Sequence, residues 1–251
     1  MKKNVFLLLL LIFIRFVSSA QPTPEIIATD SGDIKIYPIL HAAMAISYQD
    51  QMIYIDPYGG QTAFENIDSA TLILITDIHG DHLNTETLNG ISAQNTPIIA
   101  PEAVITKLGS AFQNLQPLSN GQKTTVAAIE IEAIPMYNLP EDSTSRHPKG
   151  RGNGYVLNIA GKRIYISGDT EDIVEMRALK NIDVAFICMN LPYTMTIESA
   201  ADAALAFKPK VVYPYHYRGK GGLSDVEGFK RLISVSSDQI EVRLVNWYPN
   251  K

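Results

Sequence analysis

The sequence predicts an α/β fold of four layers, with two β-sheets packed face to face and helices on both outer sides. Strand-like and helix-like segments alternate along most of the chain, and each half opens with strands that follow one another directly. The same order, a meander followed by strand–helix units, occurs twice. Two such halves can bury their sheets against each other under outer helices, which gives an αββα sandwich.

In the first half, alternating and β-branched residues predict a meander followed by two buried strands. The meander strands are expected at residues 33–40, 42–48 and 51–55. The buried strands are expected at residues 71–75 and 97–100. A helix is expected from Pro101 to about Leu108, because proline suits the first turn of a helix.

The second half repeats this pattern after a further pair of strands and a long polar loop at residues 138–154. Strands are expected within residues 123–136 and at 155–159, 163–167, 183–189, 211–215 and 240–247. Helical periodicity predicts helices at residues 171–180, 197–207 and 223–235. No linker divides the pattern, so residues 21–251 are expected to form one domain.

Residues 1–20 have the features of a signal peptide. Lys2 and Lys3 precede an apolar run at residues 5–14, and Ser18, Ser19 and Ala20 supply the small residues of a cleavage site. The apolar run is short for a membrane span, so we expect cleavage and no stable membrane anchor afterwards. A retained anchor is the alternative. The expected location is the periplasm or the exterior of the cell.

The charge balance argues against a nucleic-acid partner. The formal net charge is −5, and removing the three basic residues of the leader leaves −8, whereas nucleic-acid binding needs a basic face. The expected partner is therefore a small-molecule substrate. Cys188 is the one cysteine, which excludes an intrachain disulfide, and its apolar surroundings predict a buried small side chain.

The loop at residues 76–82 carries the strongest chemical signal. It follows a buried strand and contains Asp77, His79, Asp81 and His82. Imidazole and carboxylate groups are the ligands of zinc and related divalent ions. Four such groups in six residues at the end of a strand predict a metal site. A solvated polar turn is the alternative.

Two further candidate ligands, Asp169 and His216, also follow predicted strands. Taken alone, Asp169 could cap the next helix and His216 could pack against its aromatic neighbours. Since both share the position of the metal loop at a strand end, we expect all of them to meet at one edge of the sheets.

The metal loop, the segment Ser167-Gly168-Asp169-Thr170 and His216 resemble the metallo-β-lactamase superfamily, in particular its ascorbate-6-phosphate lactonase-like hydrolases. The resemblance runs from about His41 to His216. It implies an αββα sandwich, one or two metal ions and a hydrolase activity. The resemblance implies that one metal site uses Asp81, His82 and His216 and that the other uses Asp77, His79 and Asn138. It also implies that Asp169 bridges the two sites.

Two residues depart from the family's pattern. Asp77 and Asn138 stand where the family has histidines. The resulting Asp–His–Asn set is rich in oxygen, which suits magnesium, manganese or calcium better than zinc. We therefore expect one firmly held ion at the intact site and a weak or empty neighbour. Zinc is the expected ion, with manganese, magnesium or iron as alternatives.

Other residues near these segments have narrower predicted roles. Asp81 is the expected catalytic carboxylate, because it can bind a metal and accept a hydrogen bond. Tyr193 is a candidate donor to a developing oxyanion. Arg218 and its neighbouring lysine could hold an anionic group of a substrate, or form a solvated turn. Asn138 is also a candidate contact to substrate, and His147 could replace a ligand, contact substrate or be solvated.

The resulting hypothesis is an exported metal-dependent hydrolase that acts on a small ester, lactone or related substrate. The alternative is a catalytically degenerate metal- or ligand-binding module with the same fold. A β-lactam-hydrolysing enzyme is supported only by export and fold. His41 either faces the metal edge or lies in the core.

Overall fold

The computed structural model describes residues 23–248, so the predicted signal peptide lies outside the described part of the chain. The first half forms a seven-stranded sheet whose strands stand in sequence order. Strands β1 to β4 pair antiparallel, and β4 to β7 pair parallel. They are β1 (Glu25–Ile27), β2 (Ile34–Leu40), β3 (Ala43–Tyr48), β4 (Gln51–Ile55), β5 (Leu72–Leu74), β6 (Ile98–Ala100) and β7 (Leu115–Pro117).

The second half forms another seven-stranded sheet, in which antiparallel pairing again gives way to parallel pairing. Its strands are β8 (Lys123–Val126), β9 (Ile129–Met136), β10 (Gly152–Ile159), β11 (Lys162–Ile166), β12 (Val184–Cys188), β13 (Val211–Tyr215) and β16 (Glu241–Val242). A small hairpin pairs β14 (Arg218–Gly219) with β15 (Gly222–Leu223). The predicted doubling is therefore confirmed.

In the described part of the chain, five α-helices accompany the sheets, and with them the predicted α/β sandwich is confirmed. They are α1 (Thr85–Gly90), α2 (Glu102–Leu108), α3 (Val174–Arg177), α4 (Ile197–Phe207) and α5 (Val226–Ser236). The helix expected at residues 171–180 is shorter, because the backbone N–H of Glu171 donates to Tyr137 O outside the helix. The last strand is also shorter than expected, since Trp247 N donates to the hydroxyl of Tyr217.

The alternating side chains of β5 show why this strand is buried on both faces. Leu72 and Leu74 belong to a core cluster that also contains Leu157 of the second sheet. Ile73 belongs to a second cluster that includes Val104 of α2. Neighbouring residues of one strand therefore pack on opposite faces, as the period of two requires. Both faces are apolar, so the sequence is a continuous hydrophobic run.

The remaining structural expectations concern Cys188 and the membrane. Cys188 is buried and free, as predicted. Among residues 23–248, no helix combines the length and apolar character required to cross a bilayer.

Candidate metal centre

The candidate ligands leave the two sheets at the carboxyl ends of parallel strands. The metal loop follows β5, Asp169 follows β11 and His216 follows β13. Parallel strands present their carboxyl ends at the same edge, which is where α/β proteins place their ligands. The structure accordingly brings these three distant segments together.

Two groups of three side chains lie at this edge. One group, the second cluster, contains Asp81, His82 and His216, with one ligand atom of each within 4.8 Å of the others. His216 Nε2 is 3.5 Å from Asp81 Oδ2. The resemblance had assigned these three side chains to one site.

The other group, the first cluster, contains Asp77, His79 and His147 within the same limit of 4.8 Å. His79 Nδ1 is 2.7 Å from Asp77 Oδ2, and His147 Nε2 is 4.0 Å from the same oxygen. The imidazole of His147 therefore lies where the sequence analysis had placed the amide of Asn138.

Asp169 lies between the two clusters and contacts both. Its Oδ2 is 3.3 Å from His82 Nε2 and 3.2 Å from His147 Nε2. Its Oδ1 is 3.2 Å from His216 Nε2. One buried carboxylate thus reaches an imidazole nitrogen of each cluster, which is the arrangement needed for a bridging ligand.

Several of these atoms are buried without a hydrogen bond of acceptable geometry. They include His82 Nε2, His147 Nε2 and Asp169 Oδ1. Buried polar atoms are normally hydrogen-bonded, so a group of them aimed at one region requires a partner. Imidazole and carboxylate donors suit divalent transition-metal ions. The residues therefore fit a divalent metal at each cluster.

His82 is oriented by Asp56, which the sequence analysis did not identify. His82 Nδ1 is 2.8 Å from Asp56 Oδ2, and a carboxylate can only accept, so Nδ1 carries the proton and Nε2 is left as the ligand atom. Thr76 fixes Asp56 by donating from its N and Oγ1 at 2.7 and 2.6 Å. Burial alone would lower the pKa of His82, but Asp169 and Asp56 raise it well above its usual value.

Asn138 corrects one expectation, because it positions His147 and is not itself a member of the first cluster. Its Nδ2 donates to Glu171 Oε1 and to Tyr193 O, at 3.0 and 2.9 Å. Its Oδ1 accepts from His147 N at 2.8 Å and lies 3.1 Å from His147 Nδ1. The bond to Nδ1 leaves Nε2 facing Asp169. The structure thus places one further imidazole, that of His147, beside Asp77 and His79, where the sequence analysis had expected two imidazoles to be lost.

Asp77, the other departure from the family's pattern, is paired with an arginine. Arg151 Nε and Nη2 lie 3.2 and 3.1 Å from Asp77 Oδ1 and Oδ2. Burial alone would raise the pKa of Asp77, but the hydrogen bond from His79 and the charges of His82, His79 and Arg151 lower it to about 2. The guanidinium offsets the charge that aspartate adds in place of a neutral imidazole.

The backbone around the centre is strained at three non-glycine residues. His41, Asp56 and His216 have φ values of 56°, 45° and 44°, a left-handed conformation that costs about 1–3 kcal/mol for such residues. Gly168, just before Asp169, has a φ of 61°, and a Cβ there would lie 2.5 Å from Met136 Sδ. Only glycine fits this turn, and it places Asp169 between the clusters.

A cavity of about 260 Å³ opens onto the centre, and five residues with predicted roles line it. They are His41, Tyr193 and Arg218, together with Asp81 and Asp169. Burial and the neighbouring His216 lower the pKa of His41 to about 4, so its imidazole is neutral near pH 7. His41 faces the metal edge, which was one of its two expected positions.

Asp56 could have been found from the sequence, whereas Arg151 could not. Asp56 directly follows β4, which neighbours β5 in the sheet, so it ends at the same edge as the metal loop. Arg151 is separated from Asp77 by 74 residues and lies near the end of the long polar loop. Its role depends on tertiary packing that no local pattern shows.

Replacing Asn138 by alanine should weaken the first cluster alone. We expect roughly 10- to 100-fold lower metal affinity there, the usual effect of losing a group that orients a histidine ligand. Competition with a chromophoric chelator measures the two affinities separately. Asn138→Asp is the matched variant, because it keeps an oxygen for His147 Nδ1 and should lose less. Unchanged affinity in Asn138→Ala would contradict this role.

Comparison of the sequence with known proteins identifies related metal-dependent hydrolases. The profile described as beta-lactamase superfamily domain matches residues 35–216. A UPF0173 metal-dependent hydrolase of Pyrococcus furiosus is 30% identical over 213 residues, covering 80% of this chain and 92% of that protein.

Solved structures show the same fold. A protein of Parabacteroides distasonis, assigned as a metal-dependent hydrolase, has a TM-score of 0.78 at 39% identity, covering 88% of this chain and 97% of that one. The metallo hydrolase Igni18 of Ignicoccus hospitalis has a TM-score of 0.72 at 22% identity, covering 85% and 95%, and supports the fold alone. This chain therefore belongs to the metallo-β-lactamase superfamily and is a metal-dependent hydrolase.

Proposed function

We propose that this chain is an exported hydrolase that uses two metal ions to cleave a small ester, lactone or related substrate. The observation that carries the proposal is the position of Asp169. Its carboxylate lies within 3.3 Å of the Nε2 atoms of His82, His147 and His216. Each cluster then has three candidate ligand side chains of its own, and Asp169 can contribute to both clusters.

The two ions are expected to bind with unequal affinity. The second cluster has two imidazoles and Asp81, and imidazole-rich sets favour zinc, with manganese, iron or magnesium as alternatives. In the first cluster, Arg151 occupies both oxygens of Asp77. A metal must share that carboxylate with the guanidinium, so the first cluster is the weaker site.

A divalent ion at this centre would lower the pKa of a bound water and polarise the carbonyl or phosphoryl oxygen of the substrate. Asp81 lines the cavity, where its carboxylate orients the attacking water and accepts a proton. Tyr193 lines the same cavity, where its hydroxyl donates to the oxygen on which negative charge develops. The neutral imidazole of His41 leaves the entrance free of a competing positive charge near His216.

Export is the second element of the proposal. It is supported by Lys2 and Lys3, the apolar run at residues 5–14 and the small residues before Gln21. Cell fractionation and N-terminal sequencing of the recovered protein test it. A protein that begins at Gln21 in the periplasmic or secreted fraction is the expected result.

Metal removal and reloading test the hydrolase directly. We expect the chelator-treated chain to be inactive, and zinc or manganese to restore turnover of at least one aryl ester, lactone or phosphodiester in a panel. Elemental analysis of the reloaded chain should give two ions. Two bound ions without turnover across the panel would favour the degenerate binding module. Full turnover by the chelator-treated chain would contradict the metal mechanism.

A further inference from the structure

The cavity above the metal centre has acid groups at its floor and basic groups at its rim. Asp81 and Asp169 line it together with Arg146, Arg218 and Lys220. The volume of about 260 Å³ is below the roughly 300–1,000 Å³ of common ligand pockets, which indicates a small substrate. Three cations around one small cavity are unexpected in a chain whose formal net charge is −5.

Within residues 23–248, Arg146 and Arg218 differ from the other arginines in having no carboxylate partner. Residues 23–248 contain seven arginines, and five of them pair with an aspartate or glutamate. Within that part of the chain, the two without such an ion pair are Arg146 and Arg218, and both line the cavity. Arg218 Nε is buried and has no hydrogen-bond partner there. These guanidinium groups are available for an anion from outside the chain.

Each of the two arginines is held over a tyrosine ring. The Cζ atom of Arg146 lies 4.3 Å from the ring centroid of Tyr193, and that of Arg218 lies 4.3 Å from the centroid of Tyr248. Stacking fixes the plane of a guanidinium while leaving its edge free to donate. A fixed guanidinium edge is suited to bidentate recognition of a carboxylate or phosphate.

Contacts connect Arg218 to the second cluster. Tyr248, under Arg218, has its hydroxyl 3.2 Å from His41 Nδ1. The ring of His41 is 5.3 Å from that of His216. Arg218 is thus linked through two rings to a candidate ligand.

Contacts connect Arg146 to the first cluster in the same way. Tyr193, under Arg146, accepts a hydrogen bond at its backbone oxygen from Asn138, which in turn holds His147. An anion held between the two arginines would therefore lie over both clusters.

We infer that Arg146 and Arg218 form a clamp for a carboxylate or phosphate group on the substrate, whose scissile bond then lies over Asp81 and Asp169. Lys220 adds a third positive charge at the rim. The substrate class is a small ester or lactone that carries one such anionic group. This inference rests on the proposed function, because it names the substrate of the same centre.

Binding of simple anions tests the clamp without turnover. Isothermal titration calorimetry of the metal-loaded chain with succinate and with inorganic phosphate should show binding, and the preferred anion identifies carboxylate or phosphate. In the double variant Arg146→Met/Arg218→Met, we expect at least about tenfold weaker binding of that anion. Equal affinity in the double variant, or binding of neither anion by the natural chain, would overturn the inference.

Two controls separate the clamp from folding and from general charge. Arg231→Met removes the positive charge of one exposed arginine that pairs with Asp225, and it should not change anion affinity. The double variant Arg146→Lys/Arg218→Lys keeps both charges but loses the forked geometry, so its affinity should be intermediate. Metal content and melting temperature equal to those of the natural chain show that each variant is folded. If the methionine variant does not fold, the lysine variant decides: affinity equal to the natural chain overturns the clamp.

A matched pair of esters then separates the clamp from the proposed function. The probes are p-nitrophenyl acetate and mono-p-nitrophenyl glutarate, with kcat/KM measured for each. We expect a preference for the glutarate ester that falls at least about tenfold in the methionine double variant. If anion binding requires the two arginines but neither ester nor any panel substrate is cleaved, the clamp is supported and the proposed hydrolase activity is refuted. If both esters are cleaved without preference, the proposed hydrolase activity is supported and the clamp is refuted.

Discussion

Replacing Asp169 by asparagine is expected to remove both metal ions and nearly all turnover. The buried carboxylate contacts an imidazole of the first cluster and two of the second. Burial alone would raise the pKa of Asp169, but the charges of His216 and His82 hold it well below its usual range. An amide carries no charge and offers one acceptor oxygen, so it cannot serve two cations.

The expected size of the effect follows from the metals. Metal catalysis lowers barriers by several kcal/mol, and each 1.36 kcal/mol is about tenfold in rate. We therefore expect kcat/KM to fall by roughly 10³-fold or more. Elemental analysis after dialysis should give less than one ion per chain.

Asp202→Asn is the matched control for this variant. Asp202 is exposed, pairs with Arg177 and belongs to neither cluster, so its amide removes one charge without removing a candidate ligand. It should keep two ions and full activity. An Asp169→Asn protein that is folded and retains two ions would rule out the bridging role.

The parts of the fold that could be predicted from the sequence are those encoded by local periodicity. Strand Gln51–Ile55, helix Ile197–Phe207 and strand Val211–Tyr215 have the predicted bounds, because their side-chain patterns repeat without interruption. The helix predicted at residues 171–180 has only Val174–Arg177. There, hydrogen bonds to distant segments replace those of a longer helix.

The candidate site was predictable where ligands end strands, and was not where they lie in a long loop. Asp169 and His216 were identified from their place after β11 and β13. His147 lies in the loop between β9 and β10, and a reciprocal pair of backbone and side-chain bonds with Asn138 fixes it. Such a loop conformation depends on tertiary contacts, so the sequence alone left Asn138 and His147 as competing assignments.

The pairing of Asp77 with Arg151 illustrates the same limit. Sequence analysis identified the aspartate as a lost histidine and expected a weak site for that reason. The structure adds a guanidinium that contacts both carboxylate oxygens. Weaker binding at the first cluster is still expected, but the cause is competition between arginine and metal for one carboxylate.

Replacing Asp81 by asparagine is expected to abolish turnover while leaving the first cluster occupied. Burial alone would raise the pKa of Asp81, but His82 and His216 lower it, so the carboxylate is ionised near pH 7. It lines the cavity and lies 3.5 Å from His216. Removing a group that transfers a proton costs about 10²- to 10⁴-fold in rate, and we expect a loss of kcat in that range.

The metal count distinguishes this variant from Asp169→Asn. Asp81 contacts only the second cluster, so its variant should keep about one ion at the first, whereas loss of Asp169 affects both. Asp81→Glu keeps a carboxylate on a longer stem and should recover part of the lost kcat. A purely structural role for Asp81 predicts that metal is lost from both clusters and that glutamate restores neither the metal content nor kcat. An Asp81→Asn protein with the kcat of the natural chain would show that another group accepts the proton.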